Sequence, residues 1–217
     1  METNENIKLN YYLYGFKKGL PIALAYLAVS FAFGVMTKTG GISPIASTIM
    51  SFLSLSSAGQ FAGSKLIIVS ASYIEIFFTV LFINIRYALM SISLSQKIDE
   101  SIPRWKRFLM SFGITTLPAI GWTLGTLIGS LGAAVFPNNL LVAMNIALYA
   151  MFIAIITPDC KKSIKILLVV VIAITISCIL YYVPWINEMG FGFKIIISTF
   201  LACIFGALVF PRREDDE

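Results

Sequence analysis

Histidine is absent from this sequence. That removes imidazole acid–base chemistry, Ser-His-Asp triads and histidine-ligated metals together. Cysteine is scarce: Cys160, Cys178 and Cys203 show no paired spacing. Two of them sit in apolar runs, where cysteine behaves as a small hydrophobe. A disulfide framework or a metal site is not expected. No glycine-rich loop has Walker spacing, so ATP is not bound in that manner. No cofactor is expected. Charge is the other shortage, at 12% of residues, against about 25% in a soluble domain. The start, "METNENIKLN", is polar and holds two glutamates. It does not read as a cleavable signal peptide, so the first span must target the chain.

What fills the gap is apolar sequence. Hydrophobic residues make up 58% of the 217 positions, and mean hydropathy is +0.88. Residues 19–37, 108–158, 166–187 and 195–211 carry no charge. A helix needs about 20 apolar residues to cross the hydrocarbon core. The runs do not alternate as barrel strands would. The fold class is all-α, a polytopic membrane protein with the lipid bilayer as its solvent. It reads as one transmembrane domain over 1–217, with 1–18 a cytoplasmic or interfacial N-terminus and 211–217 a cytoplasmic tail. The stretch at 7–16, with Tyr11, Tyr12, Tyr14 and Phe16, suits an interfacial segment. The net charge of +5 marks the cytoplasmic flanks of spans, and no nucleic-acid partner is expected.

Basic residues set the topology. Lys8, Lys17 and Lys18 put the N-terminus inside. Lys97, Arg104, Lys106 and Arg107 put the loop at 96–107 inside. Lys161, Lys162 and Lys165 mark a third inside loop, and Arg212 and Arg213 put the C-terminus inside. "FPNN" at 136–139 and "VPWINEMG" at 183–190 lack basic residues and read as outside. The number of crossings between residues 18 and 97 must then be even, yet three apolar stretches lie there: 19–36, 42–73 and 74–95. The simplest resolution makes 42–73 a re-entrant helical hairpin, broken near "SSAGQ". Spans at 19–36, 74–95, 108–135, 139–157, 164–183 and 192–210 complete six transmembrane helices. The alternative is seven transmembrane helices with one basic cluster outside. "LPIALAY" at 20–26 and "LPAIGWT" at 117–123 each open a span. They are a weak internal repeat or a chance echo.

Polar residues at membrane depth need a partner, a cavity or a substrate. "SSAGQFAGSK" at 56–65 concentrates them: Ser57, Gly59, Gln60 and Lys65 stand among small residues. Ala58-Gly59 and Ala62-Gly63 are four apart, which suits close helix packing. Gly59 can also break a helix and free backbone groups for a zwitterion, with Gln60 offering donors and acceptors. Packing alone is the other reading. In "FINIRYALMS", Asn84 and Arg86 lie within a span. Glu75 is three helical turns from Arg86, too far for a direct pair. Arg86 then meets a ligand carboxylate or ties two helices. Glu75 and Lys65 are candidate coupling or structural charges.

In order, the chain shows a Leu-Pro step, "FAFG" at 31–34, "SSAGQF", "NIRYALMS", "GWTLGTLIGSLG" at 121–132 and "YAMFIAIITP" at 149–158. Over about residues 14–165 this resembles the large subunit of the azaleucine-resistance (AzlC-type) branched-chain amino acid export permeases. The resemblance implies export of leucine, isoleucine, valine and analogues such as azaleucine across the plasma membrane, with both termini cytoplasmic. It implies a small hydrophobic AzlD-type partner subunit and no ATPase subunit. Carried over by position, the substrate residues are Gly59, Gln60, Phe61, Asn84 and Arg86, with Ser57 beside them. Two positions depart from the family pattern. Tyr87 stands where relatives have histidine, and Thr115-Thr116 stand where many carry an acidic pair. Outside the family reading, the alternatives are a transporter or channel for another small solute, or a non-transporting assembly subunit. With no histidine and no paired carboxylates, an enzyme is not expected.

Overall fold

The computed structural model describes residues 4–97, 102–183 and 189–211. Arg212, Arg213 and the tail, and the middle of the 183–190 connection, lie outside the described residues. Those described form eight helices: α1 (Asn4–Thr39), α2 (Pro44–Ser54), α3 (Ser57–Ile68), α4 (Tyr73–Lys97), α5 (Arg104–Gly132), α6 (Asn138–Lys162), α7 (Ile164–Tyr182) and α8 (Phe191–Val209). There is no strand among them. Six helices are long and apolar enough to cross a membrane: α1, α4, α5, α6, α7 and α8. At 1.5 Å per residue, α2 is roughly 16 Å long and α3 roughly 18 Å. Neither alone covers a core of about 30 Å.

The segment at 42–73 is therefore two short helices, and local chemistry explains each end. Pro44 occupies the first turn of α2, where a missing N–H is harmless. Ser43 caps it, its hydroxyl accepting from the Ala46 N–H at 3.2 Å. Leu55 ends α2 in the left-handed region at φ 45°. The Ser56 hydroxyl then accepts from the Gly59 N–H at 3.3 Å and starts α3. The break thus falls at Leu55–Ser56, and Gly59 lies inside the first turn of α3 rather than at the break.

The stretch at 7–16 is helical and belongs to α1. Two sequence expectations change. Pro21 and Pro118 do not open spans but sit in the middle of α1 and α5. The third span ends at Gly132 rather than 135. A membrane helix tolerates an interior proline because neighbouring groups can satisfy the freed carbonyl.

Contacts divide the chain into two compact units. Unit one comprises 1–61 and 85–148, and unit two comprises 62–84 and 149–217. In unit one, α1 and α5 pack backbone to backbone. Gly113 lies against the Tyr12 carbonyl, Gly15 against Met110, Gly121 against Ala23, Gly125 against Leu27, Gly129 against Phe31 and Gly34 against Thr126. Both sequences advance together, so the two helices run parallel. Lipid gives helices no hydrophobic reason to associate, and small residues that let backbones approach supply the attraction. Unit two holds a second parallel pair. Glu75 of α4 meets Gly192 of α8, and further along Phe82 meets Phe200, ring centroids 6.1 Å apart.

The side-chain distribution is inverted relative to a soluble protein. Most fully buried side chains are hydroxylic: Ser30, Thr37, Ser47, Ser51, Ser64, Thr79, Thr126 and Ser130. Leu24, Phe52, Phe108 and Val135 are exposed. Several hydroxyls bond within their own helix, as Thr37 does to the Gly34 carbonyl at 2.9 Å. That satisfies them without a second helix.

Candidate functional site

Unit one centres on Gln60. It lies in the first turn of α3, just past the break, and is 2% exposed. The Trp122 indole N–H donates to Gln60 Oε1 at 2.7 Å. An indole can only donate, so this bond fixes which end of the amide is oxygen. Gln60 Nε2 then donates to Ser51 Oγ at 2.9 Å. Ser51 Oγ and Thr126 Oγ1 are 2.7 Å apart. Thr126 gives its single proton to the Trp122 carbonyl at 3.0 Å, so Ser51 donates to Thr126. The result is a closed polar circuit through α2, α3 and α5, every member buried.

Aromatic packing holds the indole in place. Phe33 stacks on Trp122 with centroids 6.2 Å apart, and Tyr26 meets it edge-on at 5.5 Å. Phe33 belongs to an apolar cluster with Ala32, Met36 and Leu148, against which Phe61 packs. Trp122 also lines a cleft of about 260 Å³. Its walls include Ile22, Tyr26, Leu55 and Ile114, with Thr115 as a hydroxyl. Pro118 also lines it and has no N–H, so the Ile114 carbonyl lacks its helical donor. That carbonyl packs against Gly19 of α1, so the cleft combines an apolar wall with the Thr115 hydroxyl. At this volume it suits a single small solute, below the 300–1,000 Å³ or so of drug-sized pockets.

The other sequence candidates fall in several places. Ser57, half-buried, starts α3. Asn84 is half-buried in α4. Arg86 is exposed, with its guanidinium 4.9 Å from the Tyr87 ring centroid and Nη2 donating to the Tyr87 hydroxyl at 3.1 Å. Tyr87 is therefore a partner of the arginine beside it. Lys65 is half-buried, its ammonium 5.8 Å from the Tyr149 ring centroid. Glu75 is buried, with Oε1 accepting from the Gly192 N–H at 2.6 Å. Unit two also has an open groove of about 1,050 Å³. Aliphatic residues such as Ile156, Leu167, Val170 and Ile174 dominate it.

Sequence reasoning found Gln60 but missed Ser51, Trp122 and Thr126. A signal existed. Ser47 and Ser51 are four apart on α2, and Trp122, Thr126 and Ser130 repeat every four on α5. Such spacing puts polar groups on one helical face.

Known proteins supply the rest. Residues 21–117 match the family described as AzlC protein. That segment contains Ser51, Gln60, Asn84 and Arg86, and stops just short of Trp122 and Thr126. An uncharacterized membrane protein of Archaeoglobus fulgidus is 27% identical over 171 residues, spanning 67% of this chain and 76% of its own. The inner membrane protein YgaZ of Escherichia coli is 31% identical over 104 residues, spanning 48% of this chain and 42% of YgaZ. The aligned part is therefore less than half the length of YgaZ. No solved structure matches significantly. Over residues 21–117, the chain is similar to the AzlC family of membrane proteins.

Proposed function

We propose that the chain is a secondary exporter of branched-chain amino acids, and that its substrate enters the cleft beside Trp122. The observation that carries this is the coupling of that cleft to a buried polar circuit. Trp122 is a wall of one and a member of the other. A leucine-like zwitterion has an apolar tail and an ammonium. Ile22, Leu55 and Ile114 would take the tail, and the Thr115 hydroxyl, whose proton goes to its own helix, would accept from the ammonium. On this reading Gln60 acts as a positioning residue, holding the indole that shapes the cleft. Ser57, Gly59 and Phe61 set the path of α3 that brings Gln60 there. The broken helix supports binding near the bilayer midplane, as in transporters with discontinuous helices. Basic flanks support cytoplasmic termini in the plasma membrane. We take the chain as the large subunit, with a small hydrophobic AzlD-type partner and no ATPase subunit.

Purified protein in liposomes loaded with radiolabelled leucine tests the reading. Leucine release is expected, competed by valine and isoleucine but not by lysine. The substitution I22W is expected to fill the cleft and reduce release roughly tenfold, equivalent to about 1.4 kcal/mol of lost transition-state stabilisation. Absence of leucine movement by the wild type, alone or with the small subunit, sinks the substrate assignment. Undiminished release by I22W sinks the cleft.

A further inference from the structure

Unit two places a buried carboxylate on the start of a helix it does not belong to. Glu75 sits in the first turn of α4, where the Ser72 hydroxyl already accepts from the Glu75 N–H at 3.2 Å. A glutamate three residues after a serine cap usually turns back to its own helix. Here it reaches α8 instead, and is 6% exposed. Gly190 and Gly192 make the space. A Cβ on either would run into the Glu75 side chain. The α8 N-terminus, with its free amides and positive dipole end, compensates the carboxylate.

A second group points to the same spot. The Thr79 hydroxyl, one turn along α4, is fully buried and lies where a Cβ of Gly192 would stand. It has no hydrogen-bond partner. A buried hydroxyl left unpaired is destabilising by about 1–3 kcal/mol, so Thr79 is open to one further hydrogen-bond partner. Two ammonium groups lie on the elements around it. Lys194 of α8 stands 5.9 Å from the Tyr181 ring centroid, and Lys65 of α3 stands over Tyr149.

We propose that Glu75 and Thr79 form a proton-binding latch on the N-terminus of α8. With the carboxylate ionised, the Gly192 amide holds α8 against α4. When a proton binds a Glu75 oxygen, the charge that the helix end favours is gone. The Gly192 N–H then loses its ionic acceptor, and the new carboxyl O–H gains Thr79 Oγ1 as its own acceptor. Proton uptake and loosening of the start of α8 are one event. Under the exporter reading, on which the transport consequence alone rests, this latch couples proton entry to movement of α8.

The latch is testable without any substrate. Hydrogen exchange over residues 190–200 would be followed in nanodiscs, from alkaline to mildly acidic buffer, corrected for intrinsic exchange rates. Wild-type protection is expected to fall as pH drops, by up to roughly tenfold per pH unit, the slope for one titrating group. The variant E75Q, neutral throughout but still able to accept from Gly192, is expected to show a flat profile. T79V is expected to blunt the wild-type response, because the protonated carboxyl loses its acceptor. Identical profiles for wild type and E75Q would overturn the latch and leave Glu75 a static cap. A transition governed by sodium at constant pH would overturn the proton assignment. Leucine transport failing while the exchange profiles hold would count against the exporter reading and leave the latch standing.

Discussion

Replacing Gly129 with leucine is expected to collapse the yield of folded protein. Gly129 lies against the carbonyl and Cα of Phe31, and both are backbone atoms of α1. No rotamer change can make room; one helix must move. Overpacking in a well-filled interior destabilises by about 1–3 kcal/mol, occasionally more. Here the clash recurs against a rigid partner within a seam that also holds Gly121 and Gly125, so the effect belongs at the upper end. The control is G132A. The nearest atoms to a Cβ at Gly132 belong to the Phe136 ring, at 3.3 Å, and a side chain can yield. Size-exclusion of detergent extracts and the thermal midpoint report the outcome. A G129L variant as abundant and as heat-stable as G132A would show that the α1–α5 seam is not a principal support of unit one.

The second large effect concerns the polar circuit. In Q60L, the Trp122 indole N–H stays buried with no acceptor, a destabilisation of about 1–3 kcal/mol. Ser51 loses a donor but keeps Thr126, so the damage centres on the indole. Leucine export is expected to fall by at least about tenfold, because a released indole no longer shapes the cleft. The double variant Q60L/W122F separates stability from function. It removes both partners of the bond, so much of the lost stability should return, as expected for residues in direct contact. Export should not return, since the cleft wall is still altered. Recovery of both in the double variant would make the circuit a structural tie only.

The readable part of this molecule was its relation to solvent. Charge-free runs announced five of the six long helices, while α4 carries Glu75 and Arg86 and was read from its apolar stretch; the crowding of basic residues led to the expectation that 42–73 is not an ordinary span. Partners across helices were not readable. Gln60 was conspicuous as an amide in an apolar chain, but nothing in its neighbourhood points 62 positions onward to Trp122. Glu75 illustrates the same limit. Its spacing from Ser72 matches a local cap, and only the glycines of a distant helix draw it away. The prolines misled for a different reason. In a soluble protein Pro21 and Pro118 would favour helix ends, whereas in lipid the surrounding backbone carries the helix through them.

Leu55 gives the α2–α3 break a further meaning. A leucine in the left-handed region is disfavoured by about 1–2 kcal/mol, and glycine or asparagine suits the conformation better. Yet the side chain of Leu55 lines the cleft. The position therefore joins a backbone that favours one residue to a surface that needs another. Strained conformations of this kind persist where surrounding structure over-determines them. L55G is expected to raise the thermal midpoint by a few degrees while widening the range of solutes that compete with leucine. Greater stability with unchanged selectivity would show that the side chain is incidental. If both shift as expected, the chain is less robust than its fold allows, and the difference is the measure of how closely it discriminates among its cargo.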